Sequence, residues 1–171
     1  MPQLANFASV LSTAFSSDLA EMIEKATLPS LGDGPDNADL ANLLATDDPA
    51  SHLADAGPRQ AELTSGLWLL AGDLDRSHSI SQDLSSAEGS FLHGIMHRRE
   101  GDFGNAKYWF RRVGDHPVLD QISQQTDPTY SDPFNFADNC QDAIQAQNDV
   151  DLEKCVQIQW IEWQSLMIYL C

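Results

Sequence analysis

The sequence predicts an all-α fold, a small helical bundle, on three observations. Apolar residues recur at intervals of three and four along most of the chain, which places them on one face of a helix. Short clusters of Gly, Pro, Asp and Asn separate these runs and carry the chemistry that starts and stops helices. No stretch alternates apolar and polar residues over the length of a strand.

The elements follow in order. Leu4, Phe7, Leu11, Phe15, Leu19 and Met22 predict one long amphipathic helix, and "SLGDGPDN" at 30–37 is a turn-rich loop. A short helix follows over 39–46, and "DDP" at 47–49 reads as a cap with Pro in the first helical position. Gly57-Pro58 opens a helix holding Leu63, Leu67, Leu70 and Leu74. Phe91, Leu92, Ile95 and Met96 share a face of the next helix, and Phe103, Ala106, Trp109, Phe110 and Val113 line the one after. Asp132-Pro133 repeats the start signal before Phe136, Cys140, Ala143 and Ile144. Asp149 or Asp151 is expected to cap a closing helix through Trp160, Trp163, Met167 and Leu170. Apolar residues on most sides of that last helix mark it as core, although a Trp-rich surface for a homodimer is the alternative. Glu162, between the two tryptophans, needs a partner if it is buried.

A chain of 171 residues is expected to form a single domain, 1–171, with the motif-bearing hairpins at about 59–117. Its net charge of −17 argues against nucleic acid and anionic membrane surfaces, whose phosphates it repels. The charge is uneven: Arg98, Arg99, Lys107, Arg111 and Arg112 are five of the nine basic residues and fall within fifteen positions. Such a reversal of sign is either a field for a small anionic molecule or a set of partners for nearby carboxylates. Cys140, Cys155 and Cys171 form neither a CxxC pair nor a disulfide framework. With no secretory signal and no apolar run of membrane-spanning length, a reducing, cytoplasmic setting is the expectation.

"AGDLDRSHSISQ" at 71–82 can be laid over "EGDFGNAKYWFR" at 100–111, a shift of 29 residues that matches Gly-Asp to Gly-Asp and Ser77 to Ala106. Each copy predicts a helix, a tight turn and a second helix. The second copy resembles a tetratricopeptide repeat: Gly94 at a close helix crossing, "GDF" at the turn, Ala106 and Phe110 on the second helix, Pro117 at the exit. The spacing departs from the usual repeat of about 34 residues, so the resemblance implies repeat-like hairpins within a bundle rather than a regular array. The wording over about 66–118 is also similar to a family of uncharacterised microbial proteins with an "MHRREGDFxNAKYWFRRxGxHP"-like signature, a resemblance that implies no particular activity.

The candidate site lies in "FLHGIMHRREGDFGNAKYWFRRVGDHP", residues 91–117. His93, His97 and Glu100 share one face of a helix, opposite Phe91, Leu92, Ile95 and Met96. His93 and His97, one turn apart, can ligate a divalent, zinc-like transition metal, with His78 as third ligand and Asp75 or Glu100 as further candidates. The internal Glu of an HExxH motif is missing, so the familiar general base is absent. Without a metal, His93 or His97 can serve as general acid or base, with Glu100 beside them. Arg98, Lys107, Tyr108, Arg111 and Arg112 are then candidates to hold a carboxylate or phosphate. The plainer alternative makes the histidines hydrogen-bonded core residues and pairs Arg98 and Arg99 with nearby acids. Two functions therefore stand side by side: a pocket for a small anionic or metal-coordinated ligand, with acid–base or metal-assisted chemistry, and a non-catalytic, tetratricopeptide-like module for a protein partner.

Overall fold

The computed structural model describes residues 4, 6–46, 48–54, 57–126 and 130–171. Ten α-helices account for the described chain: α1 (Phe7–Ala14), α2 (Ser17–Lys25), α3 (Ala38–Thr46), α4 (Gln60–Ala71), α5 (Leu74–Ser81), α6 (Ala87–Glu100), α7 (Phe103–Val113), α8 (Pro117–Gln125), α9 (Pro133–Ala146) and α10 (Asp149–Leu170). The fold is all-α. The one extended pairing among the described residues is an isolated bridge between Phe15 and Leu53.

That bridge explains a departure from the sequence expectation. The first apolar run is two helices rather than one, because Phe15 is extended and Ser16 caps α2 through its Oγ, which accepts from Leu19 N. The break is held from outside. Ser16 N donates to His52 O and Ala54 N donates to Ala14 O, both at 2.8 Å. A serine with a nearby carbonyl partner competes with helix continuation, and apolar spacing alone does not register that competition. Asp48 caps a single 3-10 turn at Pro49–His52 by accepting from Ala50 N, while the neighbouring Asp47 lies outside the described residues.

The central hairpins repeat one turn. Gly72 ends α4 at φ 88°, ψ 14°, and Gly101 ends α6 at φ 88°, ψ 5°. Left-handed backbone of this kind favours glycine. Asp73 then caps α5 by accepting from Arg76 N, and Asp102 caps α7 by accepting from Asn105 N. The packing differs in kind: Ser65 Oγ lies 2.9 Å from Ser77 Oγ between α4 and α5, whereas Gly94 lies beneath the Phe110 ring between α6 and α7. A Cβ on Gly94 would stand 2.4 Å from Phe110 Cε1, so glycine is what permits this approach.

Helix α6 is enclosed on all sides, with every residue from Gly89 to Arg99 buried. It packs on α4, α5 and α7, while α10 runs against α1, α4, α8 and α9. Trp160 and Trp163 stack with ring centroids 5.1 Å apart, and both are buried against Phe7. Asn148 caps α10, accepting from Val150 N and Asp151 N, so Asp149 and Asp151 fall in the first turn instead of at the cap. Pro117 opens α8, with His116 as its cap. No helix among the described residues is long and apolar enough to cross a membrane.

Candidate metal centre

Three helices build the centre. Ser86 caps α6 and Gly101 ends it, and within that span His93 and His97 stand one turn apart on the same side. His78 comes from the last turn of α5, which packs against α6. One nitrogen from each ring lies within 4.8 Å of the other two. The His93 ring centroid is 4.8 Å from that of His78 and 4.7 Å from that of His97. His93 and His97 are buried and His78 is half-buried, so the cluster meets solvent on the α5 side.

One assignment of protons, taken from the contact with Glu100, satisfies the hydrogen bonds. His97 Nδ1 donates to Glu100 Oε2 at 2.9 Å, which leaves His97 Nε2 as an acceptor. Asn105 Nδ2 donates to that same nitrogen at 3.0 Å. His93 Nε2 also lies 2.9 Å from it, and in this assignment its proton shares the one lone pair of His97 Nε2 with the amide of Asn105. His93 Nδ1 then accepts from Ser81 Oγ at 3.1 Å. Burial pushes the His93 pKa down to about 4, aided by the neighbouring His97 and His78, while its contact with Ser81 works the other way. The ring is therefore neutral near pH 7, the state in which imidazole ligates metals. Trp109 covers its other side, with centroids 4.0 Å apart.

The remaining candidates divide between core, α9 and surface. Arg98 is a core residue: its Nη1 and Nη2 donate to Glu162 Oε1 and Oε2 at 3.1 and 2.5 Å, and its guanidinium lies 4.5 Å from the Phe136 ring centroid. Burial opposes its charge, but Glu162, together with Cys140 and Tyr130, holds its pKa above the ordinary value. Arg99 is likewise bound, donating to Gly32 O, Leu69 O and Asp36 Oδ2. Lys107 pairs with Asp138 and Arg111 lies over Phe134, so both point to α9. Tyr108 is exposed, and Arg112 lies 5.1 Å from the centroid of Trp109, the ring that covers His93. Glu100 reaches Nδ1 of His97, the nitrogen turned away from the other rings, and Asp75 is exposed.

Sequence reasoning missed Ser81, Asn105 and Trp109. Asn105 had a signal: a helical hairpin lays the first turn of α7 beside the last turn of α6, so the third residue after the Asp102 cap falls near His97. Ser81 and Trp109 had none that separates them from ordinary helix residues. A groove of about 790 Å³ between α2 and α3, lined by Asp18, Glu21, Lys25, Asp39 and Leu43 among others, contains none of these histidines.

No family model, no curated protein and no solved structure matches this chain. Geometry carries the functional argument.

Proposed function

We propose that the protein binds a divalent transition metal through His78, His93 and His97 and acts on a small anionic ligand held at that metal. The observation that carries this reading is the convergence of three imidazole nitrogens within 4.8 Å. Nitrogens bound to one tetrahedral zinc-like ion stand about 3.3 Å apart, a distance bracketed by the 2.9 Å between His93 Nε2 and His97 Nε2 and by the 4.8 Å limit of the set. All-imidazole donors suit zinc, nickel or copper rather than magnesium or calcium.

The surroundings support ligation. Glu100 fixes the proton of His97 on Nδ1 and turns Nε2 toward the other rings, the usual carboxylate–histidine arrangement behind a ligand. His93 becomes a ligand by moving its proton from Nε2 to Nδ1. Ser81 Oγ can accept that proton's hydrogen bond, because its own hydroxyl can turn to His78 O at 3.4 Å. A metal bound here supplies Lewis acidity to an oxygen of the ligand. Arg112 lies over Trp109, the ring that covers His93, and adds positive charge near the centre, while Glu100 holds His97 from behind.

Metal content measured on untagged protein, then zinc and cobalt titration of the chelator-treated protein, tests the reading. The expected result is one equivalent lost on substituting His93 or His97 by Ala; less than about a tenth of an equivalent in the wild type would end it. A second reading, a tetratricopeptide-like module for a protein partner, draws support from the twice-used Gly-Asp hairpin turn. A partner whose capture survives loss of both histidines but fails on charge reversal at Arg111 and Arg112 would favour that reading.

A further inference from the structure

We propose that Asn105 is the fourth protein ligand of the centre, through its side-chain carbonyl oxygen. This rests on the metal reading above and adds to it. Around His97 Nε2 stand two polar atoms at nearly equal distance, His93 Nε2 at 2.9 Å and Asn105 Nδ2 at 3.0 Å. Ligand atoms of one small ion stand about that far from one another. The amide thus stands from His97 Nε2 at the spacing of two ligands of one ion.

Its present orientation follows from the proton arrangement. His97 Nε2 is an acceptor, so the amide turns its NH2 toward it. A cation among the rings reverses that preference. The NH2 group would point positive hydrogens at positive charge, whereas a half-turn about Cβ–Cγ brings Oδ1 to the ion. The turn meets little resistance, because among the described residues the hydrogen bond to His97 is the only one this side chain makes. The residue is also partly open to solvent, so the displaced NH2 can find water.

The donor set becomes three nitrogens and one oxygen, drawn from α5, α6 and α7. Backbone placement does not depend on the amide, since Asn105 is held at the start of α7 by its own N–H donating to Asp102 Oδ1. Substitution there leaves the hairpin turn in place. A neutral carbonyl is the weakest donor of the four, so it is the one that an incoming anionic ligand displaces.

Cobalt titration of the full chain tests this, following the visible absorption of the bound ion and its competition with a chromophoric chelator. Asn105→Ala is expected to weaken cobalt binding about tenfold or more and to change the absorption spectrum, while the metal-free variant melts with the wild type. Asn105→Asp, which keeps an oxygen and adds charge, is expected to bind more tightly with a spectrum close to that of the wild type. If the wild type binds one equivalent and Asn105→Ala matches it in affinity and spectrum, Asn105 is no ligand and the three-histidine reading stands alone. If the wild type binds none, both readings fall together.

Discussion

His93 shows how one residue carries the folding cost of the centre. Its ring is buried, faces His78 and His97, is covered by Trp109, and meets Glu100 only through His97. The folded pKa is about 4 against an ordinary 6.5. Above the ordinary value neither folded nor unfolded chain protonates this ring. As pH falls between the two values, the unfolded chain takes the proton and the folded one does not, so stability is lost through that window. The slope reaches at most about 1.4 kcal/mol per pH unit. Urea midpoints of chelator-treated protein at several pH values between 7.5 and 4.5 should fall more steeply for the wild type than for His93→Gln. Equal slopes would show that this imidazole is not what the acid attacks. The convergence with His78 was legible, because the i, i+4 pair fixed one helix face and the matched Gly-Asp turns placed α5 beside it. The partner of Arg98 was not: Glu162 lies 64 positions along the chain, and only tertiary packing brings it near.

At the scale of elements, the α6–α7 crossing and the α6–α10 ion pair make separate demands. Gly94→Ala puts a methyl 2.4 Å from the buried Phe110 ring, and overpacking of this kind costs about 1–3 kcal/mol. A thermal melt should show the loss, and Phe110→Leu should recover part of it by removing the ring. Arg98 and Glu162 are 1% and 0% exposed, so removing one leaves the other charge without compensation. Glu162→Leu alone should cost about 3–5 kcal/mol, whereas Arg98→Met combined with Glu162→Leu should recover most of that. A double variant no more stable than the single one would mean that the pair, and not its unpaired remainder, holds α6 to α10. The helices themselves were readable wherever caps and periodicity agreed, as at Asp102 and Asp132. They were misread where a tertiary contact decided the matter. Residues 52–54 break the first apolar run at Phe15.

Taken whole, the molecule carries its entire net charge of −17 outside two ion pairs, because Arg98 and Arg99 are each neutralised by one acid, Glu162 and Asp36. Seven Lys and Arg remain against twenty-four Asp and Glu outside those two pairs. Any divalent cation will therefore raise the melting temperature somewhat by screening, and so will simple salt. A metal held at the histidines acts differently. It ties α5 to α6 and stabilises by mass action, about 2.7 kcal/mol when free metal is a hundredfold above its dissociation constant. The two effects separate in 0.5 M potassium chloride, where surface fields are screened within roughly 5 Å. There, magnesium should add nothing to the melting temperature, while zinc should still raise it by several degrees in the wild type. The increment should vanish when His78, His93 and His97 are each replaced by Gln. An increment that survives both the salt and the triple replacement would place the zinc on surface carboxylates, and the buried histidines would then be hydrogen-bonded members of the core.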